Sequence, residues 1–120
     1  MKLAITTTGE NLEAPLDPRL GRAARFVIYD LDDDSFELLD NGQNLNAAQG
    51  AGIQAAQHIV NSGAQGVITG HCGPKAFRVL SAEGVAVYNC QAGTVKDAIE
   101  RFKSGELKLA QDADVEGHWV

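Results

Sequence analysis

At 120 residues with a formal charge of −6, the chain suffices for one domain that buries roughly two thirds of its unfolded surface, and its overall field excludes binding to nucleic acid or anionic membrane. Two cysteines are too few for a disulfide framework and too few alone for a four-thiolate zinc site. No apolar run reaches the roughly 18 residues of a membrane span, and Met1-Lys2-Leu3 leads into a β-rich run rather than a signal peptide, so a cytoplasmic setting is expected.

In chain order, residues 2–8 form a β-rich run and residues 9–22 a polar loop containing Pro15, Pro18 and Gly21. A loop of that length is often functional. Residues 26–31 and 36–39 read as strands joined by the acidic turn Asp32-Asp33-Asp34-Ser35, a hairpin signal. After a second loop at 41–46, Ala48, Ala51, Ala55, Ile59 and Val60 recur at helical spacing across 47–62, and Gly63 stops the helix. The remainder repeats a strand–helix unit: strand 66–69, helix 74–82, strand 85–88, and helix 94–103 ended by Gly105. Such alternation implies parallel crossovers with helices covering the sheet. One domain over 1–110 is expected, followed by an acidic tail at 111–120 that contains Gly117-His118-Trp119.

The segment Val67-Ile68-Thr69-Gly70-His71-Cys72-Gly73-Pro74-Lys75-Ala76-Phe77-Arg78 reads as a ligand site. A buried strand enters a turn whose glycines permit close backbone approach, and Pro74 suits the first position of a helix. Cys72 therefore stands near a helix N-terminus, where the dipole and unbonded N–H groups favour a thiolate or a bound anion. Half of the ten basic residues, Arg19, Arg22, Arg25, Lys75 and Arg78, fall in two short segments, which implies a basic pocket on an acidic body. In open α/β sheets ligands bind beyond the carboxyl ends of parallel strands, and Cys72 and Cys90 follow successive strands. Both sulfurs are then candidates for one crevice, although Cys90 better suits a packed, small apolar role. His58 lies within a helix and reads as a structural or surface histidine, and His118 as a tail residue.

The opening strand Lys2-Leu3-Ala4-Ile5-Thr6, the loop Asp17-Pro18-Arg19-Leu20-Gly21-Arg22 before Phe26, Asn44 ahead of Gly50-Ala51-Gly52, the turn Gly70-His71-Cys72-Gly73-Pro74, the strand from Gly84-Val85 to Tyr88 and the closing Ala98-Ile99 to Gly105-Glu106-Leu107 form a pattern over nearly the whole chain. It resembles the dinitrogenase iron–molybdenum cofactor biosynthesis family, small proteins that bind or carry metal–sulfur clusters. Members more usually have Phe-Gly-Arg where this chain has Leu20-Gly21-Arg22, so that aromatic is absent. The stretch from Gly70 to Phe77 is most similar to a member associated with a noncovalently held molybdenum–copper sulfide cluster. The resemblance implies a ribonuclease-H-like three-layer α/β/α fold with a mixed five-stranded sheet. It also implies a carrier or scaffold rather than an enzyme, with a molybdenum–copper sulfide cluster as cargo, or alternatively an iron–molybdenum–sulfur cofactor or its precursor, exchanged with donor or acceptor proteins.

A polyanionic cluster needs N–H donors, guanidinium groups and a partly apolar wall more than many covalent ligands. Arg19, Arg22, Asn44, His71, Lys75 and Arg78 are the candidate donors, Ala and Val surfaces the wall, and Gly70, Cys72 and Gly73 further residues of the binding site. Cys72, His71 and Cys90 are the candidate metal ligands. The competing reading makes Arg22 and Arg25 solvated loop charges and Arg78 an ordinary helix-surface residue.

His71-Cys72 followed by five residues and Arg78 also matches the sparse signature of cysteine phosphatases, in which a thiolate attacks phosphorus and the arginine clamps oxygens. Pro74 removes an N–H from the phosphate cradle, Lys75 replaces the usual glycine, and Val79 stands where a hydroxyl is expected. Nuclease chemistry by fold analogy is weaker still, because residues 3–8 carry no carboxylate to hold a metal.

Overall fold

The computed structural model describes residues 1–21, 23–41, 51–91 and 93–110. Among them the elements are β1 (Lys2–Thr7), β2 (Arg25–Asp30), β3 (Phe36–Asp40), α1 (Ala51–Asn61), β4 (Gly66–Thr69), α2 (Pro74–Ala82), β5 (Ala86–Asn89), α3 (Val95–Lys103) and β6 (Lys108–Leu109). The strands form one sheet in the order β3-β2-β1-β4-β5-β6. The β1–β4 and β4–β5 pairs are parallel, and the other three antiparallel.

The sheet thus has six strands rather than the five that the family resemblance implies. The sixth is too short for an alternating pattern to show: Leu109 faces Tyr88, Lys108 faces Asn89, and Ala110 N–H donates to Val87 O at 2.8 Å. Tertiary pairing alone makes it a strand.

Side-chain alternation divides the core between the two faces of the sheet. Ala4, Phe26, Ile28, Val67 and Val87 turn to one face, where Ala55, Ala56 and Ile59 of α1 and Ala76 and Leu80 of α2 cover them. Leu3, Ile5, Val27, Tyr29 and Ile68 turn to the other, beneath Val95, Ala98 and Ile99 of α3. The result is the expected helix–sheet–helix layering. The helix expected across 47–62 is described from Ala51; residues 42–50, which cover its first positions and nearly all of the loop before it, and the tail at 111–120 with His118 lie outside the described residues.

The loop after β1 is a strap and not a free excursion. Thr7 Oγ1 donates to Pro15 O, Leu16 N–H to Gly93 O at 3.0 Å, and Asp17 N–H to Thr6 O at 2.9 Å. Leu12, Ala14 and the start of α3 are joined likewise, by Lys96 N–H to Leu12 O and Val95 N–H to Ala14 O. Leu16, Asp17 and Leu20 are buried in consequence.

At the opposite end of the sheet the β2–β3 hairpin turns through Asp34, which has a positive φ of 59°. Asp34 accepts hydrogen bonds from Tyr29 Oη and from Lys103 Nζ, the latter at 3.2 Å, and Lys103 lies 5.5 Å from the centre of the Tyr29 ring. These contacts hold the Asp34 carboxyl below the usual carboxylate range, the Tyr29 bond first, and fasten the hairpin to α3.

The start of α3 carries a complete capping box: Asp97 N–H donates to Thr94 Oγ1 at 3.1 Å, and Thr94 N–H donates to Asp97 Oδ2 at 3.0 Å. Thr94→Ala is expected to cost about 1 kcal/mol of stability in urea unfolding. The Thr94 backbone N–H is the main reason that the Asp97 carboxyl lies below its ordinary value of 3.8. A lowered folded-state value contributes stability above the unfolded value, which is lost as pH falls through the folded one. The stability gap between wild type and Asp97→Asn should therefore be full at neutral pH and close below about pH 4. Denaturation midpoints followed by circular dichroism across that window check it.

Candidate functional site

The parallel strands β1, β4 and β5 end at one edge of the molecule, and the topology brings the helix starts there too. α2 and α3 each follow a parallel strand and run back along the sheet, so each begins at the carboxyl ends. α1 precedes β4 and runs the same way as α2. The two helices approach closely at their first turns, where a Cβ on Gly52 would lie 3.5 Å from Ala76 Cβ. Two positive dipole ends thus stand side by side on one face of the sheet. Gly73 caps α2 without a side-chain hydrogen bond, and Pro74 follows it. The first intrahelical bond, Phe77 N–H to Gly73 O at 2.9 Å, leaves the earlier turn to whatever lies before it.

The strap delivers Arg19 to this place. His71 N–H donates to Pro18 O at 2.6 Å and Leu20 N–H to His71 O at 3.4 Å, a short parallel bridge that sets Arg19 beside His71. The approach is so close that a Cβ on Gly70 would stand 2.8 Å from Pro18 Cα, which is why glycine occupies position 70. Buried Asp17 organises the bend: its Oδ1 accepts Arg19 N–H at 2.9 Å and faces Arg19 Nε at 3.6 Å, while the guanidinium end remains largely exposed. Beneath it, Thr6 Oγ1 joins Asp17 O to Thr69 Oγ1.

Gly70 O accepts two side-chain amides, Asn89 Nδ2 at 3.2 Å and Gln91 Nε2 at 3.0 Å. Asn89 and Gln91 stand outside the motifs read from the sequence, and Thr6, Asp17 and Thr69 lie within those motifs without being named as site residues. The available signal was positional, since each is polar and lies at the carboxyl end of a parallel strand or on the loop crossing those ends. The periodicity of Val87 and Asn89 also points Asn89 and Gln91 to the face that α1 and α2 cover.

Of the residues proposed from sequence, Arg19, Gly70, His71, Cys72, Gly73 and Lys75 gather here, with His71 and Lys75 exposed and Cys72 buried. Arg78, one turn along α2, lines an open groove with Pro74, Phe77, Ser81 and Ala82. Arg22 and Asn44 lie outside the described residues. The two sulfurs do not meet. Cys90 continues the alternation of β5 and turns into the α3 layer, where Arg101 Nη1 approaches its sulfur at 3.7 Å. Cys72, beyond the glycine turn, packs beneath α2 on the other face, with its sulfur 3.8 Å from Gly73 O. The expectation of a shared crevice fails because one cysteine obeys strand alternation and the other a turn. Among the described residues no three His, Cys, Asp or Glu side chains converge to hold a metal ion.

The phosphatase spacing has no matching loop. Four of the five residues between Cys72 and Arg78 belong to α2, so the N–H groups of Lys75, Ala76 and Phe77 run along a helix and do not encircle a phosphate.

The fold defines a three-layer α/β protein with its helix starts, strap and basic side chains assembled at one end of a mixed sheet. The chain belongs to the dinitrogenase iron–molybdenum cofactor family, whose pattern it matches over residues 1–105. It is similar to the apo form of the orange protein from Desulfovibrio gigas, with 40% identity and a TM-score of 0.91 over 94% of this chain and 95% of that one. A putative NifB protein from Thermotoga shares 34% identity with a TM-score of 0.84, covering 97% and 98% of the two chains. An uncharacterised protein of Methanocaldococcus jannaschii is 28% identical over 111 residues, 90% of each chain. No helix among the described residues is long and apolar enough to cross a membrane.

Gly70→Ala should force Pro18 away and cost roughly 1–3 kcal/mol, as overpacking does. Urea unfolding measures the loss, and faster amide exchange at His71 and Leu20 would locate it at the strap.

Proposed function

We propose that the protein carries or scaffolds an anionic metal–sulfur cluster, preformed elsewhere and held at the carboxyl ends of β1 and β4 by N–H donors, cations and shape. The observation that carries this reading is the adjacency of the α1 and α2 starts, at the place where the strap sets Arg19 beside His71. A polyanion gains there from two dipoles and from charge-assisted hydrogen bonds without surrendering a coordination site. Membership of the cofactor family and similarity to the orange protein support a cluster as the anion. The molybdenum–copper sulfide form is the preferred cargo and an iron–molybdenum–sulfur cofactor or precursor the alternative.

In this reading Arg19, Arg22, Asn44, His71, Lys75 and Arg78 donate to the cluster, and Gly70 and Gly73 let it approach the backbone. Cys72 lines the wall or reaches the metal. Cys90 contributes at most from the far face of the sheet. The role is that of a carrier and not of a catalyst, exercised in the cytoplasm against donor and acceptor proteins.

Incubation of the apo-protein with tetrathiomolybdate and copper should give a coloured, stoichiometric complex that co-elutes on gel filtration without ATP. Separate elution of this mixture and of an isolated iron–molybdenum cofactor precursor would remove the reading's support. Arg19→Ala or Lys75→Ala should weaken capture about tenfold, the worth of one charge-assisted hydrogen bond, with added salt weakening it further and folding hardly changed. Unaltered affinity in both variants would make them ordinary surface charges.

Cys72→Ser should retain reduced cluster binding, and the unmodified protein should release no phosphate from an aryl phosphate at neutral pH. Catalytic release abolished by that substitution would make the segment an active-site loop instead.

A further inference from the structure

The outer edge of the sheet at β3 carries a pattern that the cluster site does not use. Asp30 N–H donates to Ser35 O at 2.8 Å and Asn41 N–H to Ala24 O at 2.9 Å, in the register that pairs Ile28 with Glu37 and Phe26 with Leu39. Antiparallel ladders alternate bonded and non-bonded pairs, so residues 35, 37, 39 and 41 turn their backbone groups towards β2. Phe36 and Leu38 therefore turn their N–H and C=O groups outward from the sheet. β3 has no strand beyond it among the described residues.

Phe36 and Leu38 are apolar side chains on an edge that also carries the charged Glu37 and Asp40. Phe36 is 40% and Leu38 42% exposed, and both lie on the face that bears Val27 and Tyr29. Natural edges are commonly blunted by lysine, proline or a bulge, and β3 has none of these. Around the apolar pair the surface is acidic: Asp30, Asp32, Asp33, Asp34, Glu37 and Asp40 put six of the sixteen carboxylates into residues 30–40, with no basic side chain among them. Asp32 is balanced by the N-terminal amine and Asp34 by Lys103, and Asp40 is partnered as well. The bonds from Asp34 to Tyr29 and Lys103 also fix the hairpin, so an incoming strand meets a preformed template.

We propose that β3 is a docking edge for an extended, basic segment of a partner protein, which adds to the sheet as a further strand. Main-chain bonds to Phe36 and Leu38 supply the register, apolar residues of the segment cover their side chains, and intervening lysines or arginines face Glu37 and the hairpin carboxylates. Charge decides against a second copy of this chain. A twofold pairing centred on Leu38 sets Glu37 diagonally across from Glu37 of the copy, a like-charge contact that a basic segment avoids. The inference is independent of the cargo, since β3 lies on the sheet edge and the cargo site at the ends of β1 and β4.

The probe is a dye-labelled peptide of alternating lysine and valine, about six residues long, with a glutamate–valine peptide as control, titrated into the full chain by fluorescence polarisation. The basic peptide should bind saturably, more weakly as salt rises, and the acidic one should not bind. Amide shift changes in a 15N-labelled sample should centre on residues 35–41. Leu38→Pro removes an outward N–H while sparing the bonds to β2, a placement in which an edge strand tolerates proline, and should weaken binding about tenfold. If that variant does not fold, the Phe36→Lys/Leu38→Lys pair carries the test, since both positions are exposed and their charges repel the probe. Binding unchanged in the folded variant, or shifts centred elsewhere, overturns the proposal. So does a dimer of the protein alone in sedimentation velocity that either variant dissociates, because the occupant of the edge is then a second copy.

Discussion

The contact between Pro18 and Gly70 is the constraint on which the carboxyl end of the sheet depends. Two backbones meet where any β-carbon at position 70 would collide, and the His71 N–H to Pro18 O bond closes the contact at 2.6 Å. A strap of more than ten residues would ordinarily be mobile, because closing it costs chain entropy that exposed polar residues do not return. Here the entropy is offset by burial of Leu16 and Leu20 and by Asp17, which is itself buried and satisfied by the Arg19 N–H. Arg19 thereby reaches the site on a short, rigid arm. The stack from Thr69 through Thr6 to Asp17 anchors that arm to two core strands.

The same arrangement explains how much of the molecule was legible in the sequence. Strands β1, β2 and β4 announce themselves because their apolar runs are buried on both faces, and α2 because glycine and proline mark its start. β6 is invisible: two exposed residues have no period, and only Tyr88 and Asn89 opposite make them a strand. The turn at Gly70 was readable as a place of close approach, since glycine has few other reasons to flank a buried strand. What approaches it was not readable, because the collision is with Pro18, far away in sequence. Asn89 and Gln91 were missed for a related reason. Their amides act through one carbonyl across the turn, and no local pattern encodes a long-range acceptor.

The cysteines illustrate the opposite error. Their spacing after successive strands suggested convergence, and strand order does place β4 beside β5. Proximity of strands fixes distance but not facing, however, since alternate residues point to opposite layers. Cys90 is the next residue of an alternation already set by Val87 and Tyr88, so it belongs to the α3 layer. Cys72 has left its strand and obeys the turn. A register argument carried one residue past Asn89 separates the two sulfurs.

The division of the sheet into two unlike ends follows from these placements. Three helix starts and the exposed side chains of Arg19, His71 and Lys75 stand at one end, whereas the hairpin at the other end concentrates carboxylates and ties one of them to Lys103. A chain of net charge −6 can therefore hold an anion-receptive surface without becoming cationic overall. The donors at that surface are backbone N–H groups, guanidinium and ammonium groups and an imidazole, and none of them requires a metal–protein bond to act. Under the carrier reading proposed above, the hold on a preformed anion would be set by hydrogen-bond geometry and by screening more than by coordinate bonds from the protein.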